Sequence, residues 1–215
     1  MQASRTVHVV DDDQAIRDAV GMMLRTAQYD VHLWPDGVSF LEGAGAFGPA
    51  CALLDIRMPD LSGLDVHAAL GKIGAPIATI ILTGHGDVAT AVHALRAGAT
   101  NFLEKPVASS ALIAAVDDAL ASLARPGKAD MRSSRAHDRL APLSPRELDV
   151  LRGLAAGKQN KSIALDLGIS PRTVEVYRAN IMEKLGARSL SEVLYVAFAA
   201  GVDDNAAAPR ARGAD

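Results

Sequence analysis

The chain has 215 residues, a hydrophobic share of 49% and a formal net charge of −3 at pH 7, so it can form one large domain or two smaller ones with proper cores. Its one cysteine, Cys51, excludes an intramolecular disulfide, and its place in an apolar run predicts a buried small side chain rather than a reactive thiol. The sequence has no apolar run long enough to cross a bilayer, and its first residues lack the apolar core of a signal peptide. We therefore expect a cytoplasmic protein with no membrane partner.

Charge is distributed unevenly along the chain. Residues 1–124 carry 7 Lys and Arg against 14 Asp and Glu, a net charge of −7. Residues 125–200 carry 13 basic against 8 acidic residues, a net charge of +5. An acidic part joined to a basic part indicates two different partners, and the basic part favours nucleic acid.

The first 124 residues alternate between short apolar runs and amphipathic stretches. Strands are predicted at residues 5–10, 30–34, 51–55, 78–83 and 101–104, and helices at residues 14–26, 37–42, 62–73, 87–97 and 108–124. In the third helix we expect Leu64, Ala68 and Ile73 to face the sheet, and Gly74 followed by Pro76 to end the helix. Five strands alternating with five helices predict an α/β fold with a doubly wound parallel sheet and right-handed crossovers.

Polar residues follow the apolar runs at the point where the predicted strands end. They are Asp11, Asp12 and Asp13, Asp55, Thr83, and Lys105. Because the carboxyl ends of parallel strands share one edge of the sheet, we expect carboxylates, a hydroxyl and an ammonium group to meet in one pocket. An aspartate at the end of an apolar run needs water or a partner, and we infer that Asp55 is a nucleophile that accepts a phosphoryl group.

Clustered carboxylates repel one another unless a cation lies between them, and Mg²⁺ suits a site with few protein ligands and several waters. Such an ion would also hold a phosphoryl donor in line with Asp55, while Thr83 donates a hydrogen bond to it and Lys105 pairs with its charge. Each residue has a plainer explanation. The three consecutive aspartates fit a solvated turn and helix cap, Thr83 an ordinary strand end, and Lys105 a surface lysine. The prediction therefore depends on the joint arrangement.

The sequence resembles the receiver domain of two-component response regulators in four segments. They are Val9-Val-Asp-Asp-Asp13, Leu54-Asp-Ile-Arg-Met-Pro-Asp-Leu-Ser-Gly63, Leu82-Thr-Gly-His-Gly-Asp87 and Phe102-Leu-Glu-Lys-Pro106. The third segment most resembles the FixJ branch. The resemblance implies a flavodoxin-like receiver at residues 1–124 in which Asp55 takes a phosphoryl group from a phosphohistidine on a sensor histidine kinase.

The resemblance also implies roles for the neighbours of Asp55. Mg²⁺ would be held by Asp12, Asp55 and the main-chain carbonyl of Arg57, with Asp11 acting through water. Thr83 and Phe102 would form the switch pair, and Lys105 would pair with the phosphate, its bond to Pro106 being cis. Movement of Thr83 toward the phosphate would shift the helix at residues 87–97, whose surface, with the Phe102 strand, is the predicted dimer face.

Two alternative functions fit parts of the sequence. Haloacid-dehalogenase-like phosphatases also use a strand-end Asp with Mg²⁺, but they need a second Asp two residues later, where this chain has Arg57. We therefore expect no enzyme activity beyond self-phosphorylation and slow self-dephosphorylation. A DNA-binding protein whose receiver only binds proteins, without responding to phosphate, is the other alternative, and the intact set of pocket residues argues against it.

The remaining residues predict a linker, a helical domain and a tail. Residues 125–140 are polar and broken by Pro and Gly, as in a linker, and residues 202–215 are predicted to be disordered. Between them, Ser144, Pro145 and Glu147 form a helix start with a capping box. Helices at residues 160–167 and 171–185 enclose a tight turn at Gly168, and a last helix covers residues 189–200. This arrangement predicts an all-α, four-helix, helix-turn-helix domain at residues 141–201.

The helix at residues 171–185 has one apolar face and one mixed face. The core face is predicted to hold Val174, Tyr177, Ile181 and Leu185; the other face holds Arg172, Glu175, Val176, Ala179 and Glu183, flanked by Arg178 and Lys184. The mixed face could enter a major groove, with Val176 and Ala179 near thymine methyls and Arg172 or Arg178 near phosphates or base edges. Further donors are Lys158, Asn160, Lys161, Thr173 and Arg188. A solvated basic helix is the alternative.

The helical part resembles the LuxR/FixJ-type DNA-binding domain. The matching segments are Leu143-Ser-Pro-Arg-Glu-Leu-Asp-Val-Leu151, Asn160-Lys-Ser-Ile-Ala164 and Ile169-Ser-Pro-Arg-Thr-Val-Glu-Val-Tyr177. Together with the receiver, this resemblance implies a transcription regulator that forms a homodimer on phosphorylation and binds a two-fold site in double-stranded promoter DNA. RNA polymerase is a further candidate partner.

Overall fold

The computed structural model describes residues 5–84, 88–124, 129–187 and 189–202. The chain divides into two compact units, Met1–Asp130 and Met131–Asp215. The first unit contains a parallel sheet with helices, and the second contains helices throughout its described residues.

The sheet of the first unit has five parallel strands in the order β2-β1-β3-β4-β5. The strands are β1 (Thr6–Val10), β2 (Asp30–Trp34), β3 (Ala50–Asp55), β4 (Ile77–Thr83) and β5 (Asn101–Glu104). The helices are α1 (Gln14–Thr26), α2 (Gly37–Ala44), α3 (Gly63–Ile73), α4 (Val88–Arg96) and α5 (Ser109–Ala124). The doubly wound parallel sheet predicted from the sequence is confirmed. Asp87, predicted to begin the fourth helix, lies outside the described residues.

The strands β1, β3 and β4 form the centre of the sheet, and all six residues of β3 are buried. Burial on both faces is what a continuous apolar run such as that of β3 favours in a parallel sheet. One face packs against α1 and α5, where side chains such as Val9, Leu53 and Ile80 meet Leu24 and Leu112 in one core cluster.

The burial predicted for α3 was wrong. Its buried residues are Gly63, Val66 and Leu70, whereas Ile73 is 54% exposed. Both sets have helical spacing, so periodicity alone did not separate them. The position of Gly63 sets which face of α3 is buried. A Cβ at Gly63 would lie 2.3 Å from the carbonyl oxygen of Asp55, so the start of α3 packs directly against the end of β3. The predicted end of α3 is confirmed, with Gly74 in the left-handed conformation at φ 64°.

The helix α6 (Ala129–Leu140) begins two residues before the second unit and continues into it. The second unit also contains α7 (Pro145–Ala155), α8 (Asn160–Leu167), α9 (Pro171–Leu185) and α10 (Leu190–Ala199). The capping box of Ser144 and Glu147 is present at the start of α7, as predicted. The helix α6 occupies most of the segment predicted as a linker, and Arg139 donates a hydrogen bond to the carbonyl of Leu185 at 3.0 Å, at the end of α9. The predicted tail after Val202 lies outside the described residues.

Candidate functional site

The carboxyl edge of the sheet brings Asp11, Asp55 and Lys105 together. Asp11 follows β1, Asp55 ends β3 and Lys105 follows β5. The ammonium nitrogen of Lys105 lies 2.5 Å from Oδ2 of Asp11 and 2.5 Å from Oδ1 of Asp55. One lysine therefore bridges the two carboxylates that the sequence predicted to meet.

The backbone fixes the second oxygen of Asp55. Oδ2 accepts a hydrogen bond from the backbone N–H of Arg57 at 2.6 Å, within the turn that leaves β3. The turn continues to Gly63, whose N–H donates to the carbonyl of Ile56 at 3.2 Å. The Asp55 side chain is 10% exposed. Its carboxylate is thus held through both of its oxygens at the rim of the sheet.

Asp11 lies deeper than Asp55, with 1% of its side chain exposed. Its Oδ1 accepts from the N–H of Asp13 at 2.9 Å, and its main-chain carbonyl accepts from the guanidinium of Arg17 at 2.6 Å. Burial raises the pKa of Asp11 above its ordinary value, while the hydrogen bond from Lys105 opposes this rise. The role of Arg17 was not predicted, since an arginine one turn into a helix carries no distinctive sequence signal.

Lys105 is held in place by its main chain as well as by its charge. Its N–H donates to the carbonyl of Thr83 at 2.7 Å, and the peptide bond to Pro106 is cis. Burial acts to lower the pKa of the Lys105 ammonium, but its hydrogen bonds to Asp11 and Asp55 outweigh burial, so the pKa is raised. Lys105 therefore stays charged.

The three consecutive aspartates occupy different positions. Asp11 is buried, Asp12 is exposed, and Asp13 caps α1 by accepting from the N–H groups of Ala15 and Ile16. Asp13 thus has the helix-cap role that was the plainer explanation for this run.

The predicted switch residues lie on neighbouring strands. Thr83 is 5% exposed and Phe102 is fully buried. Phe102 pairs with Ile81 in the register of β4 and β5, and Ile81 lies two residues before Thr83. Side chains two apart on a strand share a face, so Thr83 and Phe102 lie on the same face of the sheet.

The oxygens at this edge fit Mg²⁺. Across residues 5–84, 88–124, 129–187 and 189–202, no group of three or more His, Cys, Asp or Glu residues is close enough to hold a metal ion. Mg²⁺ needs fewer protein ligands, because it is commonly held by one or two carboxylates with several waters. Asp55, the exposed Asp12 and the carbonyl of Arg57 supply hard oxygens of this kind, and Asp11 lies behind them.

The second candidate site is the exposed face of α9. Arg172, Glu175, Val176 and Ala179 are all exposed, Val176 to 54%. The opposite face packs inward, as predicted, with Val174, Ile181 and Leu185 buried and Tyr177 half-buried. One face of α9 therefore packs into the core of its unit, and the opposite face is exposed.

Several predicted donors beside α9 have partners within the unit. The guanidinium of Arg178 donates to Oδ1 of Asn160 at 2.9 Å, linking α9 to the start of α8. Lys158 pairs with Asp166 at 3.1 Å, and the N–H of Thr173 donates to the capping hydroxyl of Ser170. Lys161 is exposed. Arg188 lies outside the described residues.

An ion pair between a buried glutamate and a partly exposed lysine of this unit was not predicted. Glu147 is 3% exposed, and Lys184 donates to its Oε2 at 2.7 Å, joining α7 to α9. Burial acts to raise the pKa of Glu147, but the bonds from Lys184 and Ser144 outweigh it and the pKa is lowered. Only a capping role was predicted for Glu147, since its contact with Lys184 spans 37 residues of chain.

Two protein families match the two units. The response regulator receiver domain matches residues 7–117, and the family described as bacterial regulatory proteins, luxR family, matches residues 141–197. The chain belongs to the response regulators that join a receiver to a LuxR-type domain. The family was recognised correctly from its motifs, and its members are transcription regulators rather than catalytic enzymes.

Relatives cover nearly the whole chain. The transcriptional regulatory protein FixJ of Azorhizobium caulinodans is 45% identical over 202 residues, which is 94% of this chain and 96% of the relative. The tetrathionate response regulatory protein TtrR of Salmonella typhimurium is 41% identical, and the match covers 88% of this chain and 90% of the relative. A solved structure of full-length FixJ from B. japonicum has 41% identity and a TM-score of 0.55, covering 91% of this chain and 97% of its own.

No helix within the described residues is both long and apolar enough to span a membrane. The two matching families imply the partners: the receiver domain implies a histidine kinase, and the LuxR-type domain implies DNA.

Proposed function

We propose that Asp55 accepts a phosphoryl group from a sensor histidine kinase, and that the phosphorylated chain forms a homodimer that binds promoter DNA. The observation that carries this proposal is the Asp55 carboxylate, which lies at the rim of the sheet with one oxygen bonded to Lys105 and the other to the N–H of Arg57.

In the transfer step, an Asp55 oxygen attacks the phosphorus of the donor phosphohistidine. A new P–O bond forms, the P–N bond breaks, and the imidazole nitrogen keeps the electron pair and takes up a proton. The acyl phosphate carries about two negative charges where the carboxylate carried one. Lys105 already lies within 2.5 Å of Asp55, and its raised pKa keeps it charged to pair with the phosphoryl oxygens.

Mg²⁺ would be held by Asp12, Asp55 and the main-chain carbonyl of Arg57, with Asp11 acting through water. When bound, it neutralises charge on the phosphoryl oxygens. Asp11 contributes in a second way: its contact with Lys105 keeps the ammonium at the rim of the sheet. Arg57 is exposed and cannot act as a general acid, so turnover of phosphate esters is not expected.

The signal passes from Asp55 to the dimer face through Thr83 and Phe102. When the Thr83 hydroxyl turns toward the new phosphoryl oxygens, it leaves space on the face of the sheet where Phe102 lies. The surface formed by α4 and β5 is the proposed dimer face.

Dimerisation controls DNA binding because one helical domain makes few phosphate contacts. Binding that depends on phosphate contacts alone is weak, with dissociation constants of roughly 10⁻⁴ to 10⁻⁶ M at physiological salt. Two linked domains on a two-fold site bind far more tightly, since the second binds at high effective concentration. Val176 and Ala179 of each α9 would contact base edges, and Arg172, Thr173 and Glu175 would flank them. Lys158, Asn160, Lys161 and Arg178 would contact the DNA backbone.

Intact-protein mass spectrometry tests the first step. Incubation with acetyl phosphate and Mg²⁺ should add one phosphoryl group to the wild type and none to Asp55→Asn, a substitution that preserves size and removes the nucleophile. Asp60→Asn, at an exposed aspartate of the same loop, is the matched control and should be phosphorylated like the wild type. Equal phosphorylation of Asp55→Asn would refute the assignment.

A further inference from the structure

The ring of His67 joins three elements of the receiver. His67 lies on α3, its Nε2 is 2.9 Å from the main-chain carbonyl of Ala97, and its Nδ1 is 2.8 Å from the hydroxyl of Thr79. Ala97 directly follows the last residue of α4, and Thr79 is a residue of β4 with 2% exposure. One side chain thus connects α3, the sheet and the C-terminal end of α4.

Hydrogen-bond chemistry fixes the direction of both bonds in the neutral ring. A carbonyl oxygen only accepts, so Nε2 must carry the hydrogen that it donates to Ala97. Nδ1 then has a lone pair and accepts from the Thr79 hydroxyl. The arrangement requires both a donor that reaches Ala97 and a hydroxyl at residue 79.

Thr79 also holds the chain that follows α4. Its main-chain carbonyl accepts from the N–H of Thr100 at 2.8 Å, and the N–H of Ala99 donates back to the carbonyl of Ala94 at 3.1 Å. Gly98, at φ 99°, makes the turn between them. The C-terminal end of α4 is therefore tied to β4 by its own backbone and by His67.

Thr79 lies on the same face of the sheet as the switch pair, Thr83 and Phe102. Thr79, Ile81 and Thr83 alternate along β4, so their side chains lie on one face, and Phe102 pairs with Ile81. Thr79 lies about 13 Å before Thr83 along the strand, at about 3.3 Å per residue. The strand thus has the phosphate-sensing hydroxyl at one end and the α4 anchor at the other.

We propose that His67 is a positioning residue for the switch: it fixes the C-terminal end of α4, so that the response of Thr83 to phosphorylation displaces the N-terminal end alone. This inference depends on the proposed phosphorylation of Asp55. Without the His67 bonds, backbone hydrogen bonds still tie the C-terminal end of α4 to β4 but hold it less firmly, so this end also moves and phosphorylation changes the dimer face less. The anchor therefore determines the ratio of dimer affinities with and without phosphate.

Two matched pairs of variants of the full chain test the anchor. Thr79→Val keeps the shape but removes the hydroxyl, whereas Thr79→Ser keeps the hydroxyl. His67→Ala removes both bonds, whereas His67→Gln retains an N–H donor that can reach Ala97. Sedimentation equilibrium, with and without acetyl phosphate and Mg²⁺, gives the two dimer dissociation constants. We expect their ratio to fall roughly ten-fold in Thr79→Val and His67→Ala, and to stay within about two-fold of wild type in Thr79→Ser and His67→Gln.

Two further measurements separate the possible failures. Mass spectrometry shows whether each variant is phosphorylated. An unphosphorylated wild type would refute the proposed function. Normal phosphorylation, with an unchanged ratio of dimer dissociation constants in both Thr79→Val and His67→Ala, would refute the anchor alone. Long-range ¹⁵N–¹H correlation spectra of the wild type should show the His67 ring with hydrogen on Nε2. Hydrogen on Nδ1 alone would overturn the proposal, whether or not the variants fold.

Discussion

His8 makes the stability of the receiver unit depend on pH. The His8 ring lies in β1 with 2% exposure, its Nδ1 accepts from the indole N–H of Trp34 at 3.0 Å, and its Nε2 is buried without a hydrogen-bond partner among the residues that the structure describes. Phe47 stacks on the ring at 4.4 Å between centroids. Burial, and then the neighbouring His32, lower the pKa of His8 from 6.5 to about 4, and Asp30 opposes this shift.

The sign of the effect follows from the lowered pKa. The unfolded chain takes up a proton near pH 6.5, but the folded unit resists it until about pH 4, so acid favours unfolding between these values. A difference of this size corresponds to about 3 kcal/mol in total, of which about 2 kcal/mol is lost between pH 7 and pH 5. Stability should therefore fall as the pH drops below 6.5.

The assay uses the one tryptophan of the chain, Trp34, whose fluorescence reports the unfolding of the receiver unit. Urea unfolding at pH 7, 6 and 5 gives the free energy of unfolding. His8→Asn keeps an acceptor for Trp34 but does not titrate, so its free energy should change with pH by about 2 kcal/mol less than that of the wild type. His93→Asn, at an exposed histidine of the same unit, is the control and should follow the wild type. Parallel pH curves for the wild type and His8→Asn would refute the reasoning.

Three other predictions concern stability. Gly63→Ala should destabilise the receiver by about 3 kcal/mol, because its Cβ would clash with the carbonyl of Asp55. A Cβ at Gly71 in the same helix would meet nothing within 4 Å among the described residues, so Gly71→Ala should stabilise the receiver by about 0.5–1 kcal/mol; Trp34-monitored urea unfolding compares the two. Lys105→Met removes the cation that bridges Asp11 and Asp55 and should cost about 3 kcal/mol at pH 7. Part of this loss should be recovered at pH 5, because burial raises the pKa of Asp11 and its carboxylate can take up a proton; an equal loss at both values would contradict this. Lys184→Met removes the cation that pairs with buried Glu147 and should cost the helical unit about 1 kcal/mol, since Lys184 is partly exposed and Glu147 keeps its bond from the N–H of Ser144. Circular dichroism at rising temperature measures this loss, and an unchanged melting curve would contradict a stabilising ion pair.

The sequence predicted that Asp11, Asp55 and Lys105 approach one another, because each of them ends or follows a strand that the apolar pattern makes clear. Once the strands are parallel, Asp55 and Lys105 must approach the same edge. The pattern did not predict that Lys105 bridges Asp55 to Asp11, since this depends on strand order and side-chain reach. It also did not distinguish the exposed Asp12 from the capping Asp13, which are adjacent and chemically identical.

Features that depend on contacts across the chain were beyond the sequence pattern. The wrong burial of α3 arose because two sets of residues share the helical spacing, and only the close approach of Gly63 to β3 separates them. The hydrogen bond from Trp34 to His8 depends on the register of β1 and β2, in which Trp34 lies two residues beyond the residue paired with His8. The bond of Arg178 to Asn160 spans 18 residues and forms only when α8 and α9 have packed.

The affinity of the full chain for DNA, with and without phosphorylation, tests the central claim most directly. A two-fold site selected from random-sequence DNA provides the probe, and fluorescence anisotropy at fixed salt gives the dissociation constant. Acetyl phosphate with Mg²⁺ should tighten binding by the wild type by roughly a hundred-fold and leave Asp55→Asn unchanged, because only the phosphorylated chain presents two linked domains. A wild type that is fully phosphorylated yet binds DNA no more tightly than Asp55→Asn would contradict the account.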